Sequence, residues 1–379
     1  MMQARDRSNT RGATVLVCSL LSALVGLAAC RPQPVPKLAS LGAKIDETSV
    51  SGISSGAYMA GQFQLAHGEL VSGAAIIAGG PYGCAESLFA DLMPGPGTAF
   101  LNLTKAINGC MLNAMALWGV PNPPMLAEKA QRLASEGRIA PLPLTASDRV
   151  YLFTGREDHT VVPPIVQAAA AFYAAIGVPA DRIRLVANLA AGHAFVTETE
   201  GLSCDATGKP YIVDCDYDQA GDLLTFIYGP LVPRAERATG RYALFDQTPF
   251  TDGLPQHGMA DEGVVYIPRT CEGGGEPANT PGGAPTGSTG CRVHIAFHGC
   301  AQNRMLIGDA FIEKTGFARW ADTNRLIVLF PQTSTSPFNP QGCWDWWGYT
   351  GREYLTREAP QIVAVRRMLE RLSLVQRPS

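Results

Sequence analysis

The chain has 379 residues, 46% hydrophobic and 17% charged, with a formal net charge of −3. That is enough apolar side chain for one large α/β domain or two ordinary ones. The slightly acidic balance excludes nucleic-acid binding through a basic face, and no tandem repeat is visible.

The first segment has the features of an export signal. Arg5, Arg7 and Arg11 form a basic stretch, and Ala13–Ala29 is uncharged and mostly apolar. At about 17 residues this run stands at the lower limit for a membrane span, with the flanks of a processed leader. Leu27-Ala28-Ala29-Cys30 resembles the lipobox of bacterial lipoproteins. That resemblance implies that residues 1–29 are removed and Cys30 is lipidated. Arg31, rather than an aspartate, follows Cys30, which favours the outer membrane. A plain secretory signal, giving a periplasmic or extracellular protein, is the alternative. Pro32, Pro34 and Pro36 suggest that residues 30–43 form a stiff tether, leaving 44–379 as a single folded domain.

Export also accounts for the cysteines. Setting Cys18 and Cys30 aside from the ten leaves Cys84, Cys110, Cys204, Cys215, Cys271, Cys291, Cys300 and Cys343. An even number in an oxidising compartment implies disulfides. Proximity along the chain suggests Cys84–Cys110, Cys204–Cys215, Cys271–Cys291 and Cys300–Cys343. No close Cys/His ligand set points to zinc.

Along the rest of the chain, strand and helix signals alternate. Lys44–Val50 is a short run leading into Gly52-Ile53-Ser54-Ser55-Gly56, and Ala57–His67 reads as a helix stopped at Gly68. His67 is expected at its C-cap. Gly73–Ala78 is a short buried strand, followed by an insertion over about 81–147. Asp148–Phe153 is a strand, Pro163–Ile176 a helix with proline at its start and Gly177 past its end, and Arg182–Leu189 a strand. Asp222–Tyr228 is a short helix, Pro230–Gly240 a connector and Val264–Ile267 a strand. Glu272–Gly290 is a loop of small and polar residues tied at its base by Cys271–Cys291. Arg292–Phe297 is a strand ending in His298-Gly299-Cys300, a helix is expected over Leu306–Trp320, and Leu326–Phe330 is a strand. The last helix shows Ile362, Val365, Leu369 and Leu372 on one face. This alternation predicts a mostly parallel sheet with helices on both faces.

Three positions at strand ends carry the chemistry. Gly52-Ile53-Ser54-Ser55-Gly56 reads G-x-S-x-G, the nucleophile elbow of α/β-hydrolases. A serine hydroxyl needs a base within reach and a third group to orient that base. Asp158 follows the strand ending at Phe153, and His193 follows the next one, so the chain order is Ser54, Asp158, His193, as in the α/β-hydrolase triad. Taken singly, Asp158 could be a helix cap before Pro163, and His193 a loop histidine packed on Phe195. His159 is expected at the surface or behind the site. The second requirement, N–H donors for an oxyanion, would be met by the amides of Ser55 and Cys300. Cys300 itself could be a nucleophile unless Cys343 bridges it. His294 and His298 lie four residues apart on a strand, about 13 Å, too far for one ion to join. No metal or cofactor is implied.

In α/β-hydrolases the elbow normally follows several βα units, and the oxyanion strand precedes it. Here almost nothing but the export segment comes before Ser54, and the oxyanion strand lies at 292–297. Joining the last helix to Lys44 would restore the usual order, so a circularly permuted α/β-hydrolase fold is predicted.

Three segments together resemble the secreted polyhydroxybutyrate depolymerases of that permuted type. They are Ser51–Met59; His298-Gly299-Cys300-Ala301-Gln302-Asn303; and Trp320–Arg325 leading to Gly342-Cys343-Trp344-Asp345-Trp346-Trp347-Gly348. The resemblance implies Ser54, Asp158 and His193 as triad, Ser55 and Cys300 as oxyanion donors, and an aliphatic polyester or its oligomers as substrate. It also implies that Trp344, Trp346 or Trp347 lines the cleft. Three tryptophans between Gly342 and Gly348 suggest a loop with exposed rings, offering flat apolar contact area. The chain ends at its last domain helix, without the separate substrate-binding domain that many such enzymes carry. Amorphous polymer or soluble oligomers are therefore the more natural substrates. Two further readings remain: a carboxylesterase of the feruloyl or acetylxylan type, and a surface lipoprotein that binds polyester or carbohydrate without turnover.

Overall fold

The computed structural model describes residues 34–87, 96–274 and 290–375. The expected leader, Cys30, Arg31, Pro32 and most of the Glu272–Gly290 loop lie outside them. Val35–Ser379 forms one unit.

Eleven strands are described. They are β1 Lys44–Ile53, β2 Val71–Ile77, β3 Arg149–Phe153, β4 Ile183–Val186, β5 Phe195–Thr197, β6 Leu202–Ser203, β7 Ile212–Asp214, β8 Arg241–Asp246, β9 Glu262–Ile267, β10 Arg292–Phe297 and β11 Leu326–Phe330. The helices up to the middle of the chain are α1 Ser55–Ala66, α2 Pro96–Cys110, α3 Pro123–Ser135, α4 Leu142–Ala146, α5 Pro163–Ala175 and α6 Gln219–Tyr228. Beyond it come α7 Thr248–Thr251, α8 Arg304–Ile307, α9 Ala310–Lys314, α10 Phe317–Asn324 and α11 Pro360–Ser373.

The main sheet has the order β4-β3-β2-β1-β10-β11-β9-β8. It is parallel from β4 to β11 and antiparallel across β9 and β8. Strand alternation divides its side chains between two apolar layers. Val50, Ile76, Val150, Leu152, Val293, Ile295, Ile327 and Leu329 pack on one face with residues of α1, α3, α5 and α11. Ile53, Ile77, Tyr151, Phe153, Ala296, Val328 and Phe330 pack on the other with α6, α9 and α10. Both faces of the parallel part are therefore covered, which explains why its strands read as continuous apolar runs.

The permutation shows in the chain's own hydrogen bonds. The first strand of the chain, β1, sits at the centre of the sheet, between β2 and β10. Just before it, the amides of Leu41 and Ala43 donate to the Leu372 carbonyl (3.1 and 2.9 Å), and that of Gly42 to Leu374 (2.9 Å). The end of α11 thus lies against the entry to β1, where an unpermuted chain would run on directly.

The structure departs from the expected elements at several points. The single helix expected over Leu306–Trp320 is three short ones, because Gly308 (φ 61°) and Gly316 (φ 83°) take a left-handed backbone that an α-helix cannot continue through. The expected tether begins to pack before residue 44: Leu38 and Leu41 are buried in the core, and Asp246 donates its amide to Pro36 (2.8 Å). Edge strand β8 and the small sheet β5-β7-β6 had no strong sequence pattern. All four expected disulfides are present, which fits folding in an oxidising compartment. His67 is the C-cap of α1, its amide donating to Phe63.

Candidate active site

The elbow is built by close approach. β1 ends at Ile53 and α1 starts at Ser55, leaving Ser54 alone in the turn at φ 56°, ψ −121°. A non-glycine residue in that region is strained and is held by its surroundings. The Ser54 amide donates to Ile77 (2.9 Å), and its carbonyl accepts from Ala57 (2.9 Å). Side chains at the flanking glycines would prevent this turn. A Cβ on Gly52 would stand 2.0 Å from the Gly56 carbonyl oxygen, and one on Gly56 2.3 Å from that of Phe297.

Asp158 and His193 arrive from the ends of β3 and β4. Their turns are joined along the backbone: Arg156 donates to Leu189 (2.9 Å) and Glu157 to Ala191 (3.1 Å). Asp158 Oδ1 accepts the amides of Thr160 (2.9 Å) and Val161 (2.8 Å). Its Oδ2 accepts from His193 Nδ1 at 2.8 Å. Each carboxylate oxygen thus has its own task, and the imidazole is held with Nε2 as its remaining nitrogen. The His193 amide donates to Thr207 Oγ1 (2.9 Å). The same loop is fastened to the small sheet by Phe195 donating to Tyr211 (2.9 Å) and by Cys204–Cys215. Asp158 is 1% exposed, against 6% for His193 and 8% for Ser54. The carboxylate is sealed while the other two keep a small opening. His159, next in the chain, points outward with its side chain 83% exposed.

The loop after β10 lies beside the elbow. A Cβ on Gly299 would come within 3.3 Å of Ser54 Cβ. The Gly299 amide donates to Gln302 Oε1 (2.7 Å) and that of Ala301 to the Gln341 carbonyl (2.7 Å). The Cys300 amide sits between these two engaged groups. Cys300 is bonded to Cys343, so the thiol-nucleophile alternative is overturned. Among the described residues, no group of three or more His, Cys, Asp or Glu side chains could hold a metal ion.

The expectation of exposed tryptophan rings in the Gly342–Gly348 loop is corrected. Trp344 is fully buried, edge-on to Phe297 (centroids 4.9 Å apart) and beside His298 (5.5 Å). Trp346 stacks on Tyr58 of α1 at 4.7 Å, and Trp347 packs against Trp346 and Tyr349; both are buried. The cause is Asp345, which folds the segment inward. Its Oδ1 accepts the amides of Trp347, Gly348 and Tyr349, and its Oδ2 accepts the amide and hydroxyl of Thr350. The segment remains next to the site, since the Trp344 amide donates to Ser55 Oγ (3.3 Å). Asp345 escaped the sequence reading. Its position among three tryptophans was the available signal, because a lone acid in an apolar run must find several donors.

An elbow serine and an Asp–His pair, all following strands of a mostly parallel sheet, are the parts a serine hydrolase of the α/β-hydrolase class needs. No family model matches the chain. Two curated proteins are similar to it. The poly(3-hydroxybutyrate) depolymerase of Delftia acidovorans is 36% identical over 335 residues, 87% of this chain. The polyhydroxybutyrate depolymerase of Talaromyces funiculosus is 31% identical over 322 residues, covering 81% of this chain and 83% of that protein. The chain spans 60% of the length of the Delftia protein. Among solved structures, a PHB depolymerase with a serine-to-alanine change, complexed with R3HB trimer, aligns with TM-score 0.75 at 29% identity. The alignment covers 89% of this chain and 98% of that one. PHB depolymerase from Penicillium funiculosum matches to the same extent. The chain belongs to the polyhydroxybutyrate depolymerase family.

Proposed function

We propose that the protein is an exported serine esterase that hydrolyses poly(3-hydroxybutyrate) or its oligomers. The observation that carries this is the His193 Nδ1 to Asp158 Oδ2 bond in a chain that also holds Ser54 in a strained elbow turn; the relatives' printed activities supply the substrate. His193 Nε2 takes the Ser54 proton as Oγ bonds to the ester carbonyl carbon. The negative charge on the former carbonyl oxygen is met by the amides of Ser55 and Cys300. His193 then gives that proton to the departing alkoxide, which leaves as the hydroxyl end of one fragment. Water, deprotonated by His193, attacks the acyl-enzyme. Collapse of that intermediate returns the proton to Ser54 and releases the acid. Asp158 holds the ring and stabilises its charged form throughout.

Trp344 serves as a wedge under the oxyanion loop rather than a cleft wall. Trp346 and Trp347, packed against Tyr58 and Tyr349, support the site from behind rather than offering exposed rings to a substrate. For localisation, the Leu27–Cys30 sequence supports cleavage before Cys30 and anchoring of the mature protein by lipid, at the outer membrane.

The test is release of 3-hydroxybutyrate or its oligomers from amorphous polymer, with Ser54→Ala and a short-chain p-nitrophenyl ester as controls. Polymer turnover that disappears in Ser54→Ala supports the proposal. Ester turnover without polymer turnover keeps the triad and discards the polymer, favouring a general carboxylesterase. Inactivity on both by folded protein favours a binding lipoprotein. Radiolabelled palmitate incorporation that survives Cys30→Ser would remove the lipid anchor.

A further inference from the structure

The loop after β10 holds a histidine that the triad does not use. His298 is fully buried, and both of its ring nitrogens are engaged. Nδ1 lies 2.8 Å from the carbonyl oxygen of Gly299. Nε2 receives the backbone amide of Thr333 at 3.3 Å, with the Thr333 hydroxyl also at 3.3 Å. A backbone N–H can only donate, so Nε2 must be the accepting nitrogen. The Thr333 hydroxyl spends its proton on the Gly342 carbonyl (2.6 Å), which leaves nothing else to decide the ring's state. A neutral imidazole has one donor and one acceptor, so Nδ1 carries the hydrogen and donates it to Gly299. Burial without an acid partner keeps the ring neutral, pushing its pKa down to about 4.

That bond sets the direction of the next amide. In a trans peptide the carbonyl and the following N–H point opposite ways across one plane. His298 draws the Gly299 carbonyl into the core, so the Cys300 N–H on the same plane points away from it. The other end of Gly299 is held as well, its amide donating to Gln302 Oε1 (2.7 Å). Gln302 Nε2 donates in turn to the carbonyls of Pro210 and Tyr211 (both 3.0 Å), and Tyr211 belongs to the framework of the His193 loop. We propose that His298, in its Nδ1–H form, is a positioning residue that fixes the Gly299–Cys300 peptide so that the Cys300 N–H faces the oxyanion formed on Ser54. This rests on the serine-esterase reading above. Peptide flipping in the free loop would otherwise aim a carbonyl at a developing negative charge.

The geometry makes an unusual distinction among substitutions. An asparagine amide nitrogen reaches the place of Nδ1, whereas a glutamine amide reaches the place of Nε2. The experiment compares full-length wild type with His298→Asn, His298→Gln and His298→Leu. It measures kcat and KM on a p-nitrophenyl ester and the rate at which a p-nitrophenyl phosphonate labels Ser54. For His298→Leu and His298→Gln, kcat and phosphonylation should each fall about 10–100-fold with KM within about threefold, since an oxyanion donor acts mainly in the transition state. His298→Asn should recover to within about fivefold of wild type. Equal losses in Asn and Gln variants, or variants that lose thermal stability while keeping wild-type kcat and labelling rate, would overturn the proposal. A measurement on the unaltered protein stands apart from any folding defect: the nitrogen-15 spectrum of its histidines should show His298 protonated at Nδ1, and an Nε2–H form would equally overturn it. If wild type itself neither turns over esters nor labels at Ser54, the esterase reading fails, whatever tautomer the spectrum shows.

Discussion

Two sets of serine and histidine among the described residues invite comparison, and only the set proposed as catalytic includes a carboxylate. In the first, Ser54 sits in a strained turn and His193 is backed by the Asp158 carboxylate at 2.8 Å. In the second, Ser49 and Ser51 project from one face of β1 and bracket His294 on the neighbouring β10, at 2.7 Å to Nδ1 and 2.8 Å to Nε2. Tyr228 completes it with a 2.8 Å bond to Ser49. Every partner of the His294 ring is neutral, and burial pushes its pKa down to about 3. Such a ring stays neutral near pH 7, and both of its serines are buried within β1. On the proposed function, the difference teaches that reactivity comes from the carboxylate, the bent backbone and access, and that the juxtaposition of serine with imidazole is not enough.

The largest expected effect tests which serine acts. Ser54→Ala should lower ester turnover by about 10⁴-fold or more, leaving Ser49 and Ser51 intact. Residual turnover above about 1% of wild type, measured on active-site-titrated protein, would mean the buried cluster can act and would break the comparison. Next is the carboxylate. Asp158→Asn should retain the fold, because its Oδ1 can still accept the Thr160 and Val161 amides. It should lower kcat by about 10³–10⁴-fold, because the ring is then held in the wrong tautomer. A loss below about tenfold would show that a carboxylate is not what separates His193 from His294. The third substitution runs the other way. His294→Leu strips Ser51 of its partner and should cost about 2–4 kcal/mol of stability, read as a shift in the urea midpoint. The kcat of the folded fraction should stay within about twofold.

The contrast also explains what could be read in the sequence. The strained turn at Ser54 and the bond between Asp158 and His193 were legible because each residue follows an apolar strand at a glycine-bearing turn, in an order that few other constellations produce. The disulfides followed from nearness along the chain. The fate of the tryptophans did not, since a ring's burial depends on what reaches it from elsewhere. Tyr58 comes from α1, and the Asp345 carboxylate turns the loop by gathering amides that follow it. Gly308 and Gly316 were in plain view, yet the apolar pattern running through them suggested one helix. The role of His298 is set by Thr333, from the far end of β11, a pairing that only the sheet creates. Leu38 and Leu41 were the missed signal that the expected tether belongs partly to the core.

The smallest effect is electrostatic and separates burial from contact. Above pH 6.5 His294 is neutral whether the chain is folded or not, and it contributes no pH dependence. As pH falls from 6.5 towards 3, the unfolded chain binds a proton there that the folded chain refuses, since its value is held at about 3. Stability should then fall by about 1.4 kcal/mol per pH unit for that group. Asp148 has the opposite sign. Burial raises its carboxyl to about 7 from 3.8, against the pull of the Gln64 amide. Between those values the unfolded chain loses a proton that the folded chain keeps, so its contribution is lost as pH rises. Replacing each group by a neutral amide isolates its share. Between pH 4.5 and 6.5, His294→Gln should make the rise of stability with pH shallower than in wild type by about 1.4 kcal/mol per unit, and Asp148→Asn should steepen it by a similar amount. His67 and His257, which burial also holds down, act equally in all three proteins and cancel in the differences. Urea midpoints across that range, at constant m, are the measurement. Three parallel curves would mean that neither burial nor the lack of an acid sets the charge of His294, and the electrostatic half of the contrast with His193 would fall.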